Sequence, residues 1–144
     1  MPRQTFTHTA FAAAPRPTVW KTLDRPETWE TIGGVDRVVD PVIDKDGRLQ
    51  GFGFEIVAGG RRYRGQAVPL AREEEQVMAW RVTSPEVRGS TTVELADNAA
   101  GTRVYVTLVV EAAGLLSTMF FPVVASAVGN GLPGAVDNFA ASFG

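Results

Sequence analysis

The sequence predicts one α+β domain: a seven-stranded, curved antiparallel sheet with two short helices after its first strand and a long helix at its C-terminal end. Three observations predict it. Apolar residues alternate over most of residues 35–111, with turn signals at the spacing of an antiparallel meander. The stretch RPTVWKTLDRPETWETIGGV, residues 16–35, spaces its tryptophans for helices. Residues 114–144 return to a helical stripe.

Residues 4–12, QTFTHTAFA, open the chain as a strand, with Phe6, His8, Ala10 and Ala12 on one face and Thr5, Thr7, Thr9 and Phe11 on the other. Pro15 and Pro17 suit the first turn of a helix, where a missing N–H costs nothing, and Val19, Trp20 and Leu23 follow at helical spacing. Asp24 and Pro26 restart the chain as a second short helix carrying Trp29 and Ile32, which Gly33 and Gly34 end. Neither helix is long enough to be stable alone. Their apolar residues must therefore be buried on something else, and capping the mouth of the curved sheet does this.

The clearest turn lies in FGFEIVAGGRRYRGQA, residues 52–67. With Gly59 and Gly60 at the centre of a tight primed turn, Ala58 faces Arg61, Ile56 faces Tyr63, Glu55 faces Arg64 and Phe54 faces Gly65. Phe52, Phe54, Ile56, Tyr63, Gly65 and Ala67 then share an inner face, while Glu55, Arg62, Arg64 and Gln66 share the outer one. Further strands follow at 76–83, 88–95 and 102–111. Their inner residues are Met78, Trp80 and Val82; Thr91, Val93 and Leu95; and Val104, Val106, Leu108 and Val110. In the C-terminal helix Leu116, Phe120, Val124, Ala127, Leu132, Val136, Phe139 and Phe143 form one stripe. Gly129, Gly131, Pro133 and Gly134 should bend it.

Composition narrows function. The 144 residues (15.5 kDa) fit one domain spanning 1–144, with net charge -2 and scattered cations that offer no footprint for nucleic acid. No cysteine is present, so thiolate chemistry and disulfides are excluded. The start, MPRQTFTHTAF, lacks the basic and apolar regions of a secretory signal, which leaves the cytoplasm as the default location. The longest apolar run, residues 115–128, is too short and too interrupted to span a membrane. GNGLPG at 129–134 satisfies GxGxxG, but the ten residues after it leave no room for a βαβ unit. One histidine and no suitable acidic cluster argue against a metal site, and no cofactor motif is found. REEEQ at 72–76 reads as a solvated turn.

The opening AAPRPTVWKTLDRPETWETIGGV resembles the start of the START, polyketide cyclase and birch-pollen-allergen (SRPBCC) superfamily, through Ala14, Pro15, Val19, Trp20, Leu23, Trp29, Gly34 and Val35; GTRV at 101–104 resembles the start of that family's last strand. The resemblance covers essentially the whole chain. It implies a helix-grip fold, in which the sheet grips the long helix around an apolar cavity that binds lipids, steroids, polyketides or other hydrophobic molecules.

Within such a cavity His8 and Tyr63 would present polar tips to a ligand, among walls formed by Phe52, Phe54, Ile56, Met78, Trp80, Phe120 and Leu132. The competing reading makes His8 a hydrogen-bonded wall residue or a strand-end residue in solvent, Tyr63 packing with its hydroxyl at the rim, and the tryptophans plain core. Binding of a hydrophobic small molecule, by a monomer or homodimer, needs only the cavity. A polyketide cyclase or dehydratase would also need an acid or base acting on a poly-carbonyl chain. A protein-interaction domain with a collapsed cavity is the third reading.

Overall fold

The alternating pattern becomes seven antiparallel strands in a computed structural model that describes residues 3–32, 35–113, 121–123, 125–126 and 129–143. In chain order the elements are β1 (Arg3–Ala12), α1 (Arg16–Thr22), α2 (Pro26–Ile32), β2 (Arg37–Ile43), β3 (Leu49–Ala58), β4 (Arg61–Glu73), β5 (Val77–Thr83), β6 (Val87–Asn98), β7 (Gly101–Ala112) and α3 (Leu132–Ala141). The sheet order is β1-β7-β6-β5-β4-β3-β2, so β1 and β2 occupy opposite edges. The chain must cross between those edges through α1 and α2, and this is why two helices too short to stand alone are nonetheless stable.

Pro15 caps α1 and Pro17 sits in its first turn; Pro26 is the first residue of α2. Val19, Trp20, Leu23, Trp29 and Ile32 are all buried. The β3–β4 hairpin has the register that the glycine pair dictates, with Ala58 opposite Arg61, Ile56 opposite Tyr63 and Phe54 opposite Gly65. Gly59 and Gly60 have φ of 58° and 77°, the left-handed pair that a type I′ turn requires. On the outer face Glu55 pairs with Arg62 and Arg64 at 3.6 and 3.4 Å. Strand β4 runs on past Pro69 to Glu73, by way of a register shift between Pro69 and Ala71. The strand tolerates this proline because pairing with β3 ends at Phe52–Ala67, so the missing N–H breaks no ladder on that side.

The core lies on the concave face, where Met78, Trp80, Thr91, Val93, Leu95, Val104, Val106, Leu108 and Val110 are all buried. Residues 121–123, 125–126 and 129 are helical, a turn follows at Asn130 and Gly131, and α3 starts at Leu132. The glycines and Pro133 thus interrupt the helical run where expected, with Pro133 placed in the first turn of α3. Leu132, Val136 and Phe139 are buried and Phe143 is half-buried, with α3 packed on β1 and α2. Gly33, Gly34, Leu116, Phe120, Val124 and Ala127 lie outside the described residues.

Candidate ligand-binding site

Cross-strand register sorts the concave face into rows. One row runs Phe6–Leu108–Thr91–Trp80 across β1, β7, β6 and β5. The next runs His8–Val106–Val93–Met78. Aromatic rings gather beside the first row. The Trp80 ring meets Phe52 edge-on at 5.3 Å and Trp29 at 5.9 Å, while Trp29 and Phe52 stack at 6.4 Å. Small residues on β4 make room for this layer. Ala67 stands opposite Phe52, and Gly65 lies so close under the Phe54 ring that a methyl group there would come within 2.4 Å of it. At the β1 edge the Phe6 ring packs in the same way against Gly129 of the C-terminal helical segment.

Of the residues singled out in the sequence, Phe52, Phe54, Ile56, Tyr63, Met78, Trp80 and Leu132 are all buried, and Phe52 and Trp80 are in ring contact. The Arg61 guanidinium lies 5.3 Å from the Tyr63 ring centroid. His8 stands at the rim: its side chain is 27% exposed and its Nε2 is 2.8 Å from Oδ1 of Asp137 on α3. It thereby ties the edge strand to the terminal helix. Phe120 lies outside the described residues.

Two polar features were not anticipated. The first is a network under the helical cap. Arg72 donates to both Asp24 oxygens at 2.8 and 3.0 Å and to Glu74 at 2.8 Å, and its guanidinium lies 5.3 Å from the Trp20 ring centroid. The Trp20 indole N–H donates to the other Glu74 oxygen at 2.8 Å, and Asp24 accepts from the Leu49 amide. The hydrogen bonds that Arg72 donates to Asp24, and then to Glu74, hold its proton more tightly than usual, and the bond from Arg72 keeps the Glu74 carboxyl below its ordinary range. REEEQ does make the β4–β5 turn, but its first and third residues clamp α1 to the sheet.

The second feature is a pair of buried polar atoms, Trp80 Nε1 and Thr91 Oγ1, that have no hydrogen-bond partner among the described residues. Trp80 and Thr91 are directly opposite one another on β5 and β6. A surface cleft of about 590 Å³ lies elsewhere, beside the β6–β7 turn, and is lined by Pro15, Arg16, Glu75, Asp97 and Gly101 among others.

A curved antiparallel sheet closed by a C-terminal helical segment and two cap helices defines a helix-grip protein. The chain belongs to the family described as polyketide cyclase / dehydrase and lipid transport, whose model matches residues 3–144. Its fold is similar to that of a START superfamily protein from Mycobacterium smegmatis, with 12% identity, 97% of this chain and 99% of that one covered, and a TM-score of 0.69. It is also similar to the Zhui aromatase/cyclase from Streptomyces sp. R1128, with 17% identity, 97% and 94% covered, and a TM-score of 0.67. The likeness extends to Ara h 8.0201, with 16% identity, 98% and 99% covered, and a TM-score of 0.57. No curated protein matches the chain by sequence. No helix among the described residues is long and apolar enough to cross a membrane.

Proposed function

We propose that this protein binds a hydrophobic small molecule between the concave face of the sheet and the C-terminal helical segment, acting in the cytoplasm as a monomer or homodimer. The observation that carries the proposal is the aromatic layer of Trp29, Phe52 and Trp80, set over small residues of β4 in a chain whose family includes lipid transport. A ligand body laid on these rings gains about 25 cal/mol per Å² of apolar surface removed from water, before the costs of association. Phe54, Ile56, Met78 and Leu132 extend that wall; Phe120, outside the described residues, is assigned to it from the sequence alone. Tyr63 and His8, the latter held at the rim by Asp137, supply the polar tips. Titration with the fluorescent probe 1-anilinonaphthalene-8-sulfonate should give saturable one-to-one binding. Ala67→Phe, which fills the space beside Phe52, should weaken it at least about tenfold while the melting transition stays cooperative. Non-saturable binding, or unchanged affinity in a folded Ala67→Phe variant, would overturn the proposal.

A second reading is favoured by two neighbours whose names describe aromatase/cyclases, Zhui and the di-domain BexL. On this reading the same face folds a poly-carbonyl chain, and His8 moves a proton. Loss of an acid or base typically costs about 10² to 10⁴ in rate, so His8→Ala should lower turnover of such a chain far more than its binding. Equal losses would leave His8 as a wall residue.

A further inference from the structure

The three tryptophans of the chain do not treat their indole N–H groups alike. Trp20 donates to Glu74 and Trp29 donates to the Leu23 carbonyl, each at 2.8 Å. Trp80 is 2% exposed, and its N–H has no partner among the described residues. The buried threonines divide in the same way. Thr28 donates to the Thr22 carbonyl and Thr102 to the Ala14 carbonyl, whereas Thr91, also 2% exposed, has no partner among the described residues. A buried donor left unsatisfied is costly, and folded proteins rarely keep one without a water, an ion or a ligand to meet it. Here two such groups stand on directly opposed residues of neighbouring strands, facing the same side of the sheet.

We infer that Trp80 and Thr91 form a two-point clamp for one oxygen atom, a hydroxyl or carbonyl, carried on the apolar body of the molecule that this face binds. The inference rests on the binding reading above and names the chemistry of its ligand. An indole nitrogen can only donate, so the group it meets must be an acceptor. The threonine hydroxyl both donates and accepts, so it suits a carbonyl oxygen by donating and a hydroxyl by accepting. A cation has no place here, and a carboxylate would bring a charge into a row flanked by Leu108, Phe52 and Trp29. The clamp sits beside the aromatic layer, so a flat ring laid on Phe52 and Trp80 would carry its oxygen at the ring edge.

The test compares 2-naphthol with naphthalene, which share a body and differ by one oxygen. The wild-type protein should bind 2-naphthol about fivefold or more tightly than naphthalene, the factor expected of one to two net hydrogen bonds. Thr91→Val keeps the shape and removes the hydroxyl, so it should reduce that preference to under about twofold and leave naphthalene affinity unchanged. A readout on the unaltered chain guards against a variant that fails to fold. The indole N–H resonance of Trp80, identified by its loss in Trp80→Phe, should lie further downfield with 2-naphthol bound than with naphthalene bound, since the two share the ring current of one body and only the first accepts a hydrogen bond. If both compounds bind equally, or if the preference survives Thr91→Val and the Trp80 resonance is no further downfield with 2-naphthol than with naphthalene, the clamp is refuted and the binding reading stands. If neither compound binds saturably, the hydrophobic-binding reading fails, and this inference fails with it.

Discussion

Replacing Arg72 by methionine removes the clamp between the helical cap and the sheet while keeping most of the apolar stem that lies against Trp20. The Arg72 and Asp24 side chains are 22% and 18% exposed, so the pair is neither a surface ion pair nor a fully buried one. Exposed pairs contribute about 0.2 to 1 kcal/mol, and removing one partner of a buried pair costs about 3 to 5, which places this substitution at roughly 2 to 3 kcal/mol. Three charge-assisted hydrogen bonds are lost, and among the described residues Asp24 keeps the Leu49 amide as a partner. At about 2 to 4 °C per kcal/mol for a chain of this size, the melting temperature should fall by roughly 5 to 10 °C in calorimetry. Arg72→Lys should recover only part of the loss, because a point charge cannot grip both Asp24 oxygens at once. Asp24→Asn in the Arg72→Met background should cost much less than it does alone, since the two residues act on one interaction. A melting temperature within about 1 °C of wild type, or strictly additive losses in the double variant, would refute the reasoning.

Two further outcomes follow from the same packing. Gly65→Ala places a methyl carbon 2.4 Å from both the Phe54 ring and the Thr83 carbonyl oxygen; the ring can turn but the carbonyl cannot, so chemical denaturation should show a loss of about 2 to 4 kcal/mol. A loss under about 0.5 kcal/mol would mean that β4 and β5 yield more readily than this contact implies. Acid should act through Glu74, whose carboxyl is held below its ordinary value first by the hydrogen bond from Arg72. A depressed carboxyl contributes stability that is present above its unfolded value of about 4.3 and is lost as pH falls through the lower folded value. Arg72 stays charged throughout, so the wild-type melting temperature should fall more steeply below about pH 4.5 than that of Arg72→Met, and parallel curves would count against the network.

Much of the fold was legible because local chemistry decides it. Glycine takes positive φ at both centres of a type I′ turn without strain, so the pair at 59–60 fixed the hairpin register, and with it which face each residue of β3 and β4 presents. Prolines at 17 and 26 can stand only in a first turn, so they marked where both cap helices begin. Beyond the hairpin the local signal weakened. Proline is a poor strand residue by its own chemistry, yet β4 passes through Pro69, since which side of a proline lacks a neighbour depends on where β3 ends and not on the residue itself.

The candidate site was legible in its apolar part and opaque in its polar part, and the three tryptophans show why. Parity and spacing place each indole ring in the interior, because burial of a ring follows from the period of its element. The fate of each N–H depends on a single atom supplied by another element: Glu74 from the β4–β5 turn for Trp20, the Leu23 carbonyl for Trp29, and none among the described residues for Trp80. The first two partners lie 54 and 6 residues away, and no periodicity encodes such distances. The same holds for His8, whose face was readable from β1 but whose partner, Asp137, arrives 129 residues later on α3. A periodic pattern reports how much surface an element buries, whereas specificity in an apolar site rests on the few polar atoms that the burial leaves unpaired. The opposed N–H and hydroxyl of Trp80 and Thr91, without a partner among the described residues, are therefore the kind of feature that only three-dimensional register reveals.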